Sequence, residues 1–269
     1  MISNNGAKPL YVLTLISSIL TFFATVVGLT HLGLYTPTTP ERLIPGTVSQ
    51  DILSLLTAAG LLLCLVAIQR GSGRSWLIWL GLEGYLLYAY GLYSFERVYN
   101  PIYLIYIAIF SLSLWSIITF FHAVDLSQVR VRQSDRQPPR RATAVFLLLL
   151  VLMFLVLWLS LMIPAMRDYH APEASSIFIM DLSFVLPLLT LTAILLFKRH
   201  HLGDVLTVPL LIKTVTLGSS VLLGTLLYPA FGRELLWDEV LTYAILGLAP
   251  LLFLVPFLIR IDVNGSGDS

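Results

Sequence analysis

Residues Thr143–Pro164 read TAVFLLLLVLMFLVLWLSLMIP, twenty-two positions without an ionisable side chain. At 1.5 Å per residue a helix of this length covers about 33 Å, and the hydrocarbon core of a bilayer is roughly 30 Å thick. In lipid only helices and closed barrels satisfy their own backbone polar groups. A transmembrane barrel shows segments of about ten alternating residues, whereas this run is continuously apolar. It reads as a membrane-spanning helix, and its lack of ionisable residues predicts that it faces lipid.

Working outward, the same reading applies to the rest of the chain. Eight runs qualify as spans, at about 10–30, 51–69, 75–94, 101–123, 142–164, 177–197, 205–229 and 236–259. The predicted fold class is all-α, a polytopic transmembrane helical bundle. Composition agrees, since the chain has 57% hydrophobic and only 12% charged residues, against roughly 25% charged in soluble domains. Residues 10–30 exceed the length of a signal-peptide core, and no A-x-A-like cleavage site follows, so they read as an uncleaved first span. A net charge of +1 argues neither for nucleic acid nor for acidic partners, and the single cysteine, Cys64, excludes an intrachain disulfide.

Basic residues orient the bundle. Eleven Lys and Arg lie in the even loops and at the termini, against Arg42, Arg97, Arg167 and Arg233 in the odd loops. Both termini are therefore expected in the cytoplasm of a cell-membrane protein. The longest polar stretch, VRVRQSDRQPPRR, divides the chain into a four-span half (1–126), a basic cytoplasmic linker (127–141) and a second four-span half (142–262). The tail 263–269 reads as disordered. The linker arginines are expected to meet anionic lipid headgroups.

Candidate functional residues are the polar ones at depth. Lys213 lies within TVPLLIKTVTLGSSVL (Thr207–Leu222), and Glu83 lies within LIWLGLEGYLLYAY. A charge at a helix centre costs at least about 2.5–3.5 kcal/mol, so it needs a partner or a water-filled cavity. Spans three and seven both run outward, with each charge about eight residues past the cytoplasmic edge, roughly 12 Å deep. A Glu83–Lys213 pair is the expectation. Asp181 is the second choice for Lys213, because about 12 Å of height would separate the two. Tyr85, Tyr88 and Thr216 are expected to line the same site. Asp51 reads as an N-cap or first-turn carboxylate of span two, and the preceding loop as surface structure. Pro187 is expected to interrupt span six and to kink it.

Asp51 precedes Glu83 by the same interval that separates Asp181 from Lys213, and the offset also superposes Gly73 on Gly203. Most other identities at this offset are leucines. The chain thus admits a reading as two parallel four-helix repeats related by an axis along the membrane normal.

Two stretches, YLLYAYGLYSFERVYNPIYLIYIAIFSLSLW (Tyr85–Trp115) and DLSFVLPLLTLTAILLFKRHHLGDVLTVPLLIKTVTLG (Asp181–Gly218), carry a resemblance. They resemble a group of uncharacterised multi-spanning bacterial membrane proteins. The resemblance implies a prokaryotic membrane protein and carries no mechanism.

No nucleotide-binding loop, zinc-protease motif, haem-type histidine pair or selectivity-filter sequence is present, so no cofactor or metal is expected. The leading expectation is a small-solute or ion/proton-coupled transporter centred on Glu83 and Lys213. The alternatives are a membrane-embedded ligand or chromophore binder using Lys213, and a structural membrane subunit without a site. An enzyme is the least expected, because no nucleophile–base pair is evident.

Overall fold

The computed structural model describes residues 4–123, 130–131 and 139–262; Asp125, most of the basic linker and the tail lie outside the described residues. The first half comprises α1 (Asn4–Thr30), α2 (Ile44–Gln69), α3 (Arg74–Phe95) and α4 (Tyr103–Ala123). In the second half α5 (Arg140–Arg167) is followed by a span in three pieces. These are α6 (Ser175–Met180), a π-helical turn (Asp181–Val185) and α7 (Leu186–Phe197). Then come α8 (His201–Leu226), α9 (Trp237–Leu248) and α10 (Leu251–Arg260), the last two forming one broken span. A two-residue antiparallel pair, β1 (Arg130–Val131) with β2 (Ile261–Asp262), joins the linker to the end of α10.

Among the described residues, seven segments are long and apolar enough to cross a bilayer, which makes the chain a multi-pass integral membrane protein. The eighth crossing of the predicted bundle is α3. It is 22 residues long, about 33 Å, but Glu83, three glycines and four tyrosines lower its hydropathy. Such a helix belongs inside the bundle, and α3 packs against α2, α4, α6 and α8. At the opposite extreme, α5 leaves Val145, Leu149, Leu152 and Val156 about half exposed, so the long apolar run does present a lipid-facing surface.

Helices α1–α2, α2–α3 and α3–α4 pack in succession, as do α5–α7, α7–α8 and α8–α9. The halves meet where α8 lies against α3 and α2. Small residues permit this approach. A Cβ on Gly81 would fall 2.7 Å from Ile212 Cβ and 2.8 Å from the Pro209 carbonyl, and one on Gly218 would collide with Gly247 Cα on α9.

Two expectations are corrected. Span two begins at Ile44 with Pro45 in its first turn, where a missing N–H costs nothing, so Asp51 lies two turns inside the helix and caps nothing. The preceding loop is not superficial, because Tyr35 is fully buried between two short 3-10 turns. Span six is interrupted just before Pro187, which cannot donate, and the Leu186 N–H reaches back five residues to the Asp181 carbonyl.

Candidate functional site

The Glu83–Lys213 pair does not form. The ion pairs among the described residues include Arg42–Glu173 and Arg140–Asp204, whereas Lys213 reaches no carboxylate within 4 Å. Its ammonium lies over the Tyr88 ring, 3.8 Å from the centroid, with Asp181 as the carboxylate acting on it. Depth permitted the expected pair, but the direction around α3 forbids it. At 100° per residue, Gly81, Gly84 and Tyr88 share the face toward α8, where the Lys213 stem passes Gly84. Glu83 belongs to the face of Trp76, Trp79 and Tyr90, toward α1 and α4.

The second choice, Asp181, is the residue brought to Lys213. Helix α8 begins at His201, so Lys213 lies about 18 Å from the arginine-rich end, Tyr88 about 21 Å and Asp181 about 24 Å. The remaining difference of roughly 6 Å is a height that a lysine stem covers. Asp181 accepts from Tyr88 Oη at 3.0 Å and from Trp158 Nε1 at 2.9 Å. Four side chains from α3, α5, the π turn and α8 thus converge on one point between the halves. Asp181 stands at the irregular turn, and π turns recur at functional sites.

Other expected site residues lie elsewhere. Tyr85, though three positions from Tyr88, turns to α2 and donates to the Gln50 carbonyl at 3.3 Å. Thr216 Oγ1 bonds the Ile212 carbonyl of its own helix at 2.8 Å, as helical threonines commonly do, and takes no part in the cluster.

A second buried carboxylate centre was not anticipated. Asp51 accepts from Tyr35 Oη at 2.6 Å and from Tyr93 Oη at 3.1 Å, with Tyr106 bonded in turn to Tyr35 and Asn100. Burial, with the Asp51 carboxylate beside it, holds the Tyr35 phenol well above the ordinary tyrosine range, so it remains a donor. The sequence signals available were Pro45, which marks the helix start, and Trp158, the lone N–H donor in an apolar run and therefore in need of an acceptor.

At the arginine-rich end, Arg140 binds Asp204 through two bonds of 2.7 Å, and Arg74 donates to the carbonyls of Ile261 and Ile259. His200 caps α8 by accepting from the Leu202 N–H. Comparison with protein-family models, curated proteins and solved structures finds no match for this chain.

Proposed function

We propose that this membrane protein carries a small charged solute across the bilayer, with Lys213, Asp181 and Tyr88 as the solute-binding centre. The observation that carries this reading is the position of the Lys213 ammonium. It lies at depth over an aromatic face, without a hydrogen-bonded anion, beside a helix break. A cation–π contact offsets part of the desolvation while leaving the N–H donors that point away from the ring for an incoming anionic group. Asp181 keeps the opposite charge nearby without quenching it, because Tyr88 and Trp158 occupy its oxygens. The π turn supplies a joint about which α6 and α7 change angle as solute enters and leaves.

The test is uptake of labelled small organic anions and amino acids into proteoliposomes. Lys213→Met is expected to abolish it and Asp181→Asn to lower it on the order of 100-fold; both variants folded and transporting like wild type would sink the reading. A subunit role without a site would instead appear as loss of a partner complex. For the chromophore alternative, Lys213 would have to form an adduct with an added aldehyde such as retinal that borohydride traps.

We further assign the arginine-rich face to the cytoplasm. A cavity of about 310 Å³ there, lined by Arg140, Arg141 and Arg199, suits the headgroups of anionic lipids. Less anionic lipid co-purifying with Arg141→Glu/Arg199→Glu protein would support that assignment.

A further inference from the structure

Glu83 is fully buried, and neither of its carboxylate oxygens makes a hydrogen bond of good geometry among the described residues, although the Ser113 and Thr14 hydroxyls are near enough to act on the carboxyl as donors. It is the polar group that the lysine centre leaves unexplained. The Trp79–Thr14 hydrogen bond of 2.9 Å and the Tyr11–Trp76 ring contact set α1 in step with α3. One turn further along both helices, Ser18 is level with Glu83. On the antiparallel α4, Phe120 packs on Trp79, so Ser116 stands level with Glu83 and Ser113 one turn beyond. The hydroxyls of Ser113 and Thr14 flank the carboxyl.

Buried hydroxyls without a partner also occur at Thr39, Ser54, Tyr90 and Ser176, but four lie on α1 and α4, the two helices that Glu83 faces. Thr25, Thr57, Thr192, Thr207 and Thr214 all bond the carbonyl four residues back. Ser18, Thr21, Ser113 and Ser116 do not, and each has a buried oxygen without a partner. Unsatisfied buried polar atoms are costly, each about 1–3 kcal/mol. Their presence on the two helices that face a buried carboxylate points to a ligand that binds oxygen.

We propose that Glu83, with Ser113, Ser116 and Ser18, forms a sodium site in the first half of the bundle. A hard cation takes carboxylate and hydroxyl oxygens as ligands. One carboxylate balances one positive charge, whereas a divalent ion would leave net charge in a low-dielectric interior. No group of three His, Cys, Asp or Glu converges among the described residues, so a transition-metal site is not the competitor. This site stands on Glu83 and not on Lys213, and it adds a coupling ion to the carrier reading.

The experiment is thermal unfolding of the purified protein in sodium, potassium or choline chloride at constant ionic strength. Sodium is expected to raise Tm saturably over choline, with potassium much weaker, and Glu83→Gln is expected to remove the response. Should that variant fail to fold, Ser113→Ala is expected to raise the half-saturating sodium concentration at least fivefold. No sodium-specific shift in wild type overturns the proposal, as does a stabilisation that follows falling pH alone. A sodium response intact in Glu83→Gln or unmoved in Ser113→Ala also overturns it. Because the readout is binding, a sodium shift without uptake would leave this site standing and remove only the carrier reading.

Discussion

Asp51 and Asp181 make a natural comparison. They stand 130 positions apart, each lies inside a span rather than at its end, and each accepts two hydrogen bonds, one from a tyrosine of α3. Asp51 is held in a continuous helix by two phenols, with Gly28 backing the contact and stacked Tyr93 and Tyr106 closing over it. Asp181 sits on a π turn with a lysine facing it. A carboxylate enclosed by donors on regular helices is a strut. The same group beside a nearly free ammonium and an irregular turn retains the ability to rearrange. The number of hydrogen bonds does not separate the two, but the regularity of the supporting helix and the nearby cation do.

The comparison breaks most visibly in transport. Asp181→Asn is expected to lower solute uptake on the order of 100-fold, roughly 2.7 kcal/mol, while Asp51→Asn keeps it within about threefold. Equal losses in proteoliposome uptake would erase the functional distinction.

Stability sharpens it next. Tyr35→Phe strands a lone pair of Asp51 and is expected to cost about 1.5–3 kcal/mol, the range for a hydrogen bond to a charged group. Tyr85→Phe, losing a 3.3 Å bond to a neutral carbonyl, should cost about 1 kcal/mol. Denaturant unfolding in detergent measures both, and similar values would show that the Asp51 centre is no special strut.

Packing between helices gives a comparable effect. Gly218→Leu drives a side chain into Gly247 on α9, and overpacking of this kind costs about 1–3 kcal/mol. Gly33→Ala, with open space around it, is the control and should leave Tm unchanged. The smallest effect is expected at the outer Arg42–Glu173 pair, whose side chains are 62% and 49% exposed. Arg42→Ala should change stability by no more than about 1 kcal/mol, as exposed ion pairs do. A larger loss would mean that this contact ties the halves together.

Depth is the coordinate that the chain carries in one dimension. Continuous apolar runs, the length of each span and the burial of Glu83, Lys213, Asp181 and Tyr88 follow from 1.5 Å of rise per residue and the cost of polar groups in lipid. The partner of each deep side chain depends on a second coordinate, its direction around the helix relative to neighbours that are distant in sequence. Glu83 and Gly84 are adjacent in the chain, yet they face α1/α4 and α8 respectively. Only the packing of α8 against Gly81 and Gly84 gives Lys213 to Tyr88 and Asp181 while leaving Glu83 among hydroxyls on the far side of α3. Sequence thus determined the membrane, the spans and the depth of Glu83 and Lys213, but not that of Asp51 and Tyr35. Tertiary structure decided which of them meet, because an azimuth becomes a contact only when another helix arrives to fill it.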